Sequence, residues 1–153
     1  QPIKRHEALV QFSREHHYGL LLVWKIRQGI KNKIEPERIS NYTLFFFEND
    51  LQKHFREEET TVFAKLVADD VLKHQAILEH EKIYTLVKNI RKDKNNYELL
   101  NLFAGTLENH IRFEERTFFD FLQNNFTANA LTAIGENNSG KAIDVCDNWN
   151  DKY

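Results

Sequence analysis

The stretch HFREEETTVF, residues 54–63, sets a histidine and a run of charge ahead of two apolar residues, and nearly the same string returns as HIRFEERTFF at residues 110–119. A solvated charged face would account for either string alone. It does not account for a histidine followed four residues later by a glutamate, His54 with Glu58 and His110 with Glu114, twice in one chain. In an α-helix that spacing puts both donors on one face, about 6 Å apart along the axis.

The two strings belong to longer stripes that superpose at an offset of 56 residues: Leu44, Phe47, Leu51, His54, Arg56, Glu58, Glu59, Thr61, Phe63 and Leu66 meet identical residues from Leu100 to Leu122. A second, weaker match at an offset of 64 pairs Gln11, Glu15, His16, Leu22, Val23, Ile26 and Arg27 with Gln75, Glu79, His80, Leu86, Val87, Ile90 and Arg91. The chain reads as a duplicated helical hairpin. The larger second offset requires a longer first connection, and GIKNKIEPERIS is indeed longer than KDKNN.

Periodicity places the helices. Leu9, Phe12, His16, Leu20 and Val23 fall three or four apart and predict a first helix over about residues 4–30. Pro36 suits a turn or a first helical turn, and a second helix then runs to about Leu66 along Leu44, Phe47, Leu51, His54, Glu58 and Val62. Asp69 or Asp70 caps a third helix that ends near Arg91. The fourth buries Leu100, Phe103, Leu107, His110, Glu114, Phe118 and Phe121. Short connections in series predict an all-α, up-down-up-down four-helix bundle over residues 1–126. Residues 127–153 form a C-terminal extension, packed on the bundle or partly flexible: TANALTAI is a short helix, GENNSGK a flexible loop, and Trp149 and Tyr153 are candidates to pack back.

Composition narrows the partners. The 21 basic and 23 acidic residues leave no excess charge to attract nucleic acid or an anionic membrane. The apolar run YGLLLVWKI is interrupted by Lys25 and Arg27, far short of a membrane span, and QPIKRHEAL lacks the apolar core of a signal peptide. A cytosolic protein is expected. Cys146, the one cysteine, excludes an internal disulfide and any thiolate-rich metal site and reads as an inert thiol in the tail. Any bound metal takes nitrogen and oxygen donors.

Antiparallel geometry brings those donors to one level. Residues at the same height on adjoining helices have the turn halfway between them: the midpoint of His16 and His54 falls beside Pro36, and that of His80 and His110 falls within KDKNN. The midpoint between the second helix's pair and His80 falls just ahead of Asp69. Four histidines and two glutamates therefore converge on one layer of an otherwise apolar core. Buried carboxylates cost several kcal/mol each unless neutralised. Cations would neutralise them, and histidine with carboxylate from facing helices describes dinuclear iron or manganese sites in bundle cores. The Glu-x-x-His pattern of ferritin-like proteins is absent from both helices that carry the pairs.

These residues resemble the hemerythrin-like, or HHE cation-binding, family. Its pattern is a histidine on the first helix, His-x-x-x-Glu on the second, a histidine on the third and His-x-x-x-Glu or His-x-x-x-x-Asp on the fourth, here His16 in REHHYGLL, His54 with Glu58, His80 in LEHEKI, and His110 with Glu114. The resemblance spans about residues 5–125 and implies two non-heme iron ions joined by an oxo or hydroxo bridge, with manganese or zinc as substitutes. It also implies a small diatomic ligand or peroxide as partner. Oxygen-carrying members have two histidines four apart on the third helix, where this chain has Tyr84 after His80. Tyr84 is placed to act as a sixth ligand or as an apolar plug. The iron-sulfur repair branch carries a cysteine-bearing N-terminal segment that this sequence does not contain.

Each position has a competing reading. His17 adjoins His16, but the repeat pairs His17 with Glu81 and so favours His16. His74 lies roughly 120° round the helix from His80 and reads as a surface residue, and His6 as a helix-start residue. Glu57, Glu59 and Glu115 read as solvated acids or as carboxylates that orient the histidine rings, with Glu115 an alternative to Glu114. Arg56 and Arg112 read as partners of surface acids, and LFFFEND and Trp24 as core aromatics. Three functions follow: a diiron protein that binds or senses oxygen, peroxide, nitric oxide, iron or redox status; a diiron enzyme that reduces peroxide or nitric oxide; or a metal-free helical interaction module. Binding of metal and small ligand is the leading reading.

Overall fold

The computed structural model describes residues 5–136, Asp151 and Tyr153, so Cys146 and Trp149 lie outside the described residues. All regular structure among the described residues is helical. Helix α1 (Glu7–Lys31) starts at His6, whose ring accepts the Ala8 amide, and ends at a turn in which Lys33 has φ 57°. Helix α2 (residues 36–65) opens with Pro36 in its first turn, where a missing amide costs nothing. Asp70 caps α3 (Val71–Lys92) by accepting the Lys73 amide, and Asn96 caps α4 (residues 97–125) by accepting that of Leu99. Both side chains satisfy amides that the helix itself leaves unpaired.

These helices form the up-down-up-down bundle, with α1 packed on α2 and α4, and α3 packed on the same two. No helix among the described residues is long and apolar enough to cross a membrane. A fifth helix, α5 (Ala128–Glu136), lies against α1 and buries Leu131 and Ile134 there. It carries TANALTAI from its second residue, with Thr127 accepting the Ala130 amide ahead of it, and also the first two residues of the expected loop. Tyr153 packs back beneath the α1–α2 turn, its carbonyl accepting from Lys25, while Arg38 forks onto Asp151.

The core has three storeys. One apolar cluster, including Leu22, Ile26, Tyr42, Phe47, Val87, Phe103 and Leu107, fills the end nearest the α1–α2 and α3–α4 turns. A second, including Leu9, Phe12, Val62, Phe63, Phe118, Phe119 and Leu122, fills the other end and receives α5. Between them lies the layer of buried His16, His54, Glu58, His80, His110 and Glu114.

Two apolar stripes differ from expectation. In α1 the buried line passes through Gly19 instead of Leu20, because the missing side chain lets Ile111 approach closely. In α4 Leu122 is buried and Phe121 only half-buried. The reason is a π-helical turn at Glu114–Phe118, which rotates every later residue relative to a regular α-helix. A corresponding π-turn spans Glu58–Val62 in α2, and another spans Phe47–Leu51. Trp24 is not a core residue: it is 61% exposed, one position beyond Val23 and turned away from the bundle.

Gly29 and Gly19 provide a test of packing against helix propensity. A Cβ at Gly29 would sit 2.8 and 3.0 Å from two Ile39 atoms and 3.0 Å from the Tyr153 ring, whereas at Gly19 the one close atom is the flexible tip of Ile111. Alanine in place of glycine within a helix gains about 1 kcal/mol, while overpacking costs about 1–3 kcal/mol. Gly29→Ala should therefore be destabilising and Gly19→Ala near neutral or stabilising, as read from urea denaturation midpoints.

Candidate metal centre

Each bundle helix supplies one histidine to the polar layer, and α2 and α4 add a glutamate one turn further on. Glu58 and Glu114 are 0% exposed, and each opens a π-helical turn. The widened turn lies where the backbone departs from regular geometry at the site itself, as is common for π-turns. The donors fall into two groups of four, His16, His54, Glu58 and Glu114, and Glu58, His80, His110 and Glu114, each with ligand atoms within 4.8 Å of one another. The two groups share both carboxylates.

Glu114 Oε1 accepts from His16 Nε2 at 2.9 Å and lies 3.1 Å from His110 Nε2 and 4.0 Å from His54 Nε2. Glu58 Oε1 lies 3.1 Å from His54 Nε2 and 3.3 Å from His80 Nε2. Despite those separations, the Nε2 atoms of His54, His80 and His110, both oxygens of Glu58 and Glu114 Oε2 form no aligned hydrogen bond. Buried polar atoms are otherwise almost always paired. Six buried polar atoms that converge without pairing are the arrangement that a cation completes, and the two overlapping groups fit metal binding by nitrogen and oxygen donors.

Outside this layer each ring has a second carboxylate. His54 Nδ1 bonds Glu15 at 2.9 Å, His80 Nδ1 bonds Glu59 at 2.8 Å and His110 Nδ1 bonds Glu79 at 2.6 Å. His16 Nδ1 lies 3.3 Å from Glu115 Oε2, which also accepts the Ser13 hydroxyl. For His54, His80 and His110, a carboxylate on Nδ1 turns Nε2 inward as the nitrogen available to a cation, whereas His16 bonds Glu114 through Nε2 and its Nδ1 makes no aligned hydrogen bond. Glu59 and Glu115 thus orient rings, one of the two roles read from sequence. Glu15 and Glu79 were not recognised as site residues from sequence, although both precede a histidine and pair with each other in the repeat. The two-fold relation holds throughout: the Glu15 and Glu79 contacts lie within a hairpin, and the Glu59 and Glu115 contacts cross between hairpins.

Other candidates fall away from the layer. His17 is exposed and packs on Tyr18, and His74 is exposed against the Ala68 carbonyl. Arg112 pairs with Glu108. Tyr84, expected to be a ligand or a plug, instead donates its hydroxyl to Glu59 Oε2 at 3.1 Å while its ring packs on Phe55 and Phe47. Burial and the neighbouring Glu59 push its pKa above the usual 10.

The metal-free layer is strongly polarised. Burial alone would lower the histidine pKa values, but the carboxylates outweigh it. Glu58, Glu114 and Glu15 hold His54 well above 6.5, and Glu114 with Glu79 pushes His110 up to about 10. His16 and His80 are raised by Glu114 with Glu115 and by Glu58 with Glu59. Against its own burial, Glu114 is driven well below 4.5, first by His110. A histidine whose folded pKa exceeds its unfolded value contributes stability below the unfolded value and loses it as pH rises through the folded one. The metal-free protein should therefore lose stability as pH rises from 6.5 toward about 10, the window set by His110. The contribution of Glu114 runs the other way, present above 4.5 and lost as pH falls. Urea midpoints at neutral and alkaline pH measure the first effect. Metal-loaded protein should show little alkaline loss, since a cation replaces those protons, and metal uptake should release protons to a pH indicator.

The comparisons with known proteins agree with this geometry. Residues 6–122 match the Hemerythrin HHE cation binding domain, a span that includes all six donors and the four outer carboxylates. No curated protein and no solved structure is a significant match. With more than half of the chain matched, the protein belongs to the hemerythrin HHE cation-binding family.

Proposed function

We propose that the layer holds two iron ions, one at His16 and His54 and the other at His80 and His110, with Glu58 and Glu114 shared, and that the protein binds or senses oxygen, peroxide or nitric oxide there. The observation that carries this reading is the sharing itself: two four-donor groups have both carboxylates in common. A pair of irons supplies redox equivalents and open coordination positions for such ligands. The chain's own residues hold the histidine rings through Glu15, Glu59, Glu79 and Glu115, and keep bulk water out with the apolar clusters above and below.

Each group offers two histidines and two shared carboxylates, four residues where an octahedral ion takes six donors. Tyr84 stands where a further histidine would complete one side, and its hydroxyl is held by Glu59. Both positions are thereby left incomplete, which favours net chemistry over reversible storage and supports the second reading, an enzyme that reduces peroxide or nitric oxide with an electron donor. Turnover with a reductant separates the two: a sensor consumes one equivalent of ligand and stops.

Purified from iron-replete cells, the protein should carry about two irons per chain, counted by metal analysis against protein concentration. One zinc per chain, or no metal at all, would contradict the dinuclear assignment. Glu58→Ala, Glu114→Ala and His80→Ala should each empty or split the centre, whereas His74→Ala should retain full iron. Glu15→Ala and Glu59→Ala should reach normal stoichiometry at saturation with about 10–100-fold weaker metal affinity. Exposed to air, the reduced protein should oxidise in one direction. Many cycles of reversible oxygenation, followed by absorbance, would require an additional nitrogen donor.

A further inference from the structure

The two halves of the centre match in their donors but not in their surroundings. A cavity of about 390 Å3 between α2 and α3 is lined by Glu59, Phe63, Ala64, Ile77, Tyr84 and His80 itself. Tyr84 is also part of the wall of a neighbouring cavity of about 500 Å3 that extends toward Phe47 and Arg91 along the same groove. On the opposite side His16 stacks on Phe119 at 5.4 Å, and Arg5 closes over that ring while donating to Asp120 and to the Glu115 carbonyl. A larger cavity, about 810 Å3 between Arg5, Val10, Arg14 and Leu131, reaches none of the six donors.

We propose that small ligands reach the centre from the α2–α3 groove and meet the His80 and His110 half first, with Glu59 and Tyr84 as the positioning residues that close the inner end of the path. The proposal rests on the reading of the layer as a dinuclear metal site. His80 is 1% exposed, so the cavity stops at the imidazole and the last step requires a side chain to move. Glu59 and Tyr84 line that end and are tied together, since one Glu59 oxygen accepts both the Tyr84 hydroxyl and His80 Nδ1. Phe63 and Ile77 give the passage an apolar wall, while Lys73 and Glu81 also line it, and with His80 buried behind them only a small ligand could make the last step to the ring. The outer carboxylate of the other half, Glu115, is tied instead to Ser13, under the Arg5 cover.

The test uses full-length diferrous protein and nitric oxide, with association followed by stopped-flow absorbance. Ala64 is exposed at the mouth, so Ala64→Trp narrows the passage without disturbing the core. It should slow association by about tenfold, the effect of roughly 1.4 kcal/mol of added barrier, with iron content unchanged. Tyr84→Phe keeps the ring and removes the tie, and should speed association, while Val10→Ala, in the wall of the cavity that reaches no donor, should leave it unchanged. As a readout independent of iron, xenon-pressurised crystals of the metal-free protein should show xenon beside Phe63 and Ile77, and Ala64→Trp should abolish it. Unchanged rates in both Ala64→Trp and Tyr84→Phe, or xenon found beside Phe119 alone, would overturn the proposed path while leaving the metal assignment standing. Failure of the unmodified protein to take up iron or bind nitric oxide would overturn the metal assignment and the path together.

Discussion

Six ionisable side chains buried at one height in an apolar bundle are the constraint around which the rest of the molecule is arranged. Charged groups taken out of water cost several kcal/mol each unless their partners are close and well placed. Here four histidines and two glutamates are at most 3% exposed, with an apolar cluster on either side. The helices cannot slide or rotate independently without separating a carboxylate from its histidines. Register, usually the loosest property of a helical bundle, is therefore set by the polar layer, while the apolar clusters supply the bulk of the burial.

Much of this was legible before any coordinates. The helix limits followed from the i, i+3, i+4 spacing and from the capping signal at Asp69 or Asp70, of which Asp70 is the cap, because those signals are local, whereas the Asn96 cap went unread within a polar break. That His16, His54, Glu58, His80, His110 and Glu114 share one buried layer followed from the repeat and from midpoints that had to fall on turns. What stayed hidden depends on rotation about a helix axis. The π-turn at Glu114 moves burial from Phe121 to Leu122, and no residue type announces it. Trp24 was misplaced because an aromatic near an apolar run reads as core, although one step past Val23 carries it round to solvent. The outer carboxylates Glu15 and Glu79 were visible as repeat partners, but their role appears only with the histidine rings beside them.

The internal repeat makes the layer symmetrical in its six residues, while the residues that surround them differ between the copies. Position 13 carries a serine that binds Glu115, while its repeat partner, Ile77, lines a cavity. Position 84 carries a tyrosine that binds Glu59, while its partner Leu20 packs against the apolar core.

The shared glutamates have a further consequence. Each four-donor group takes three residues from one hairpin and one carboxylate from the other: Glu114 reaches across to His16 and His54, and Glu58 reaches across to His80 and His110. Neither hairpin contains a complete group. Cleaving the chain in the connection between α2 and α3 would leave two fragments, each with an unfinished coordination set and an apolar face that only the other could cover. A cation held by either group would then act as a cross-link between the two halves of a split protein.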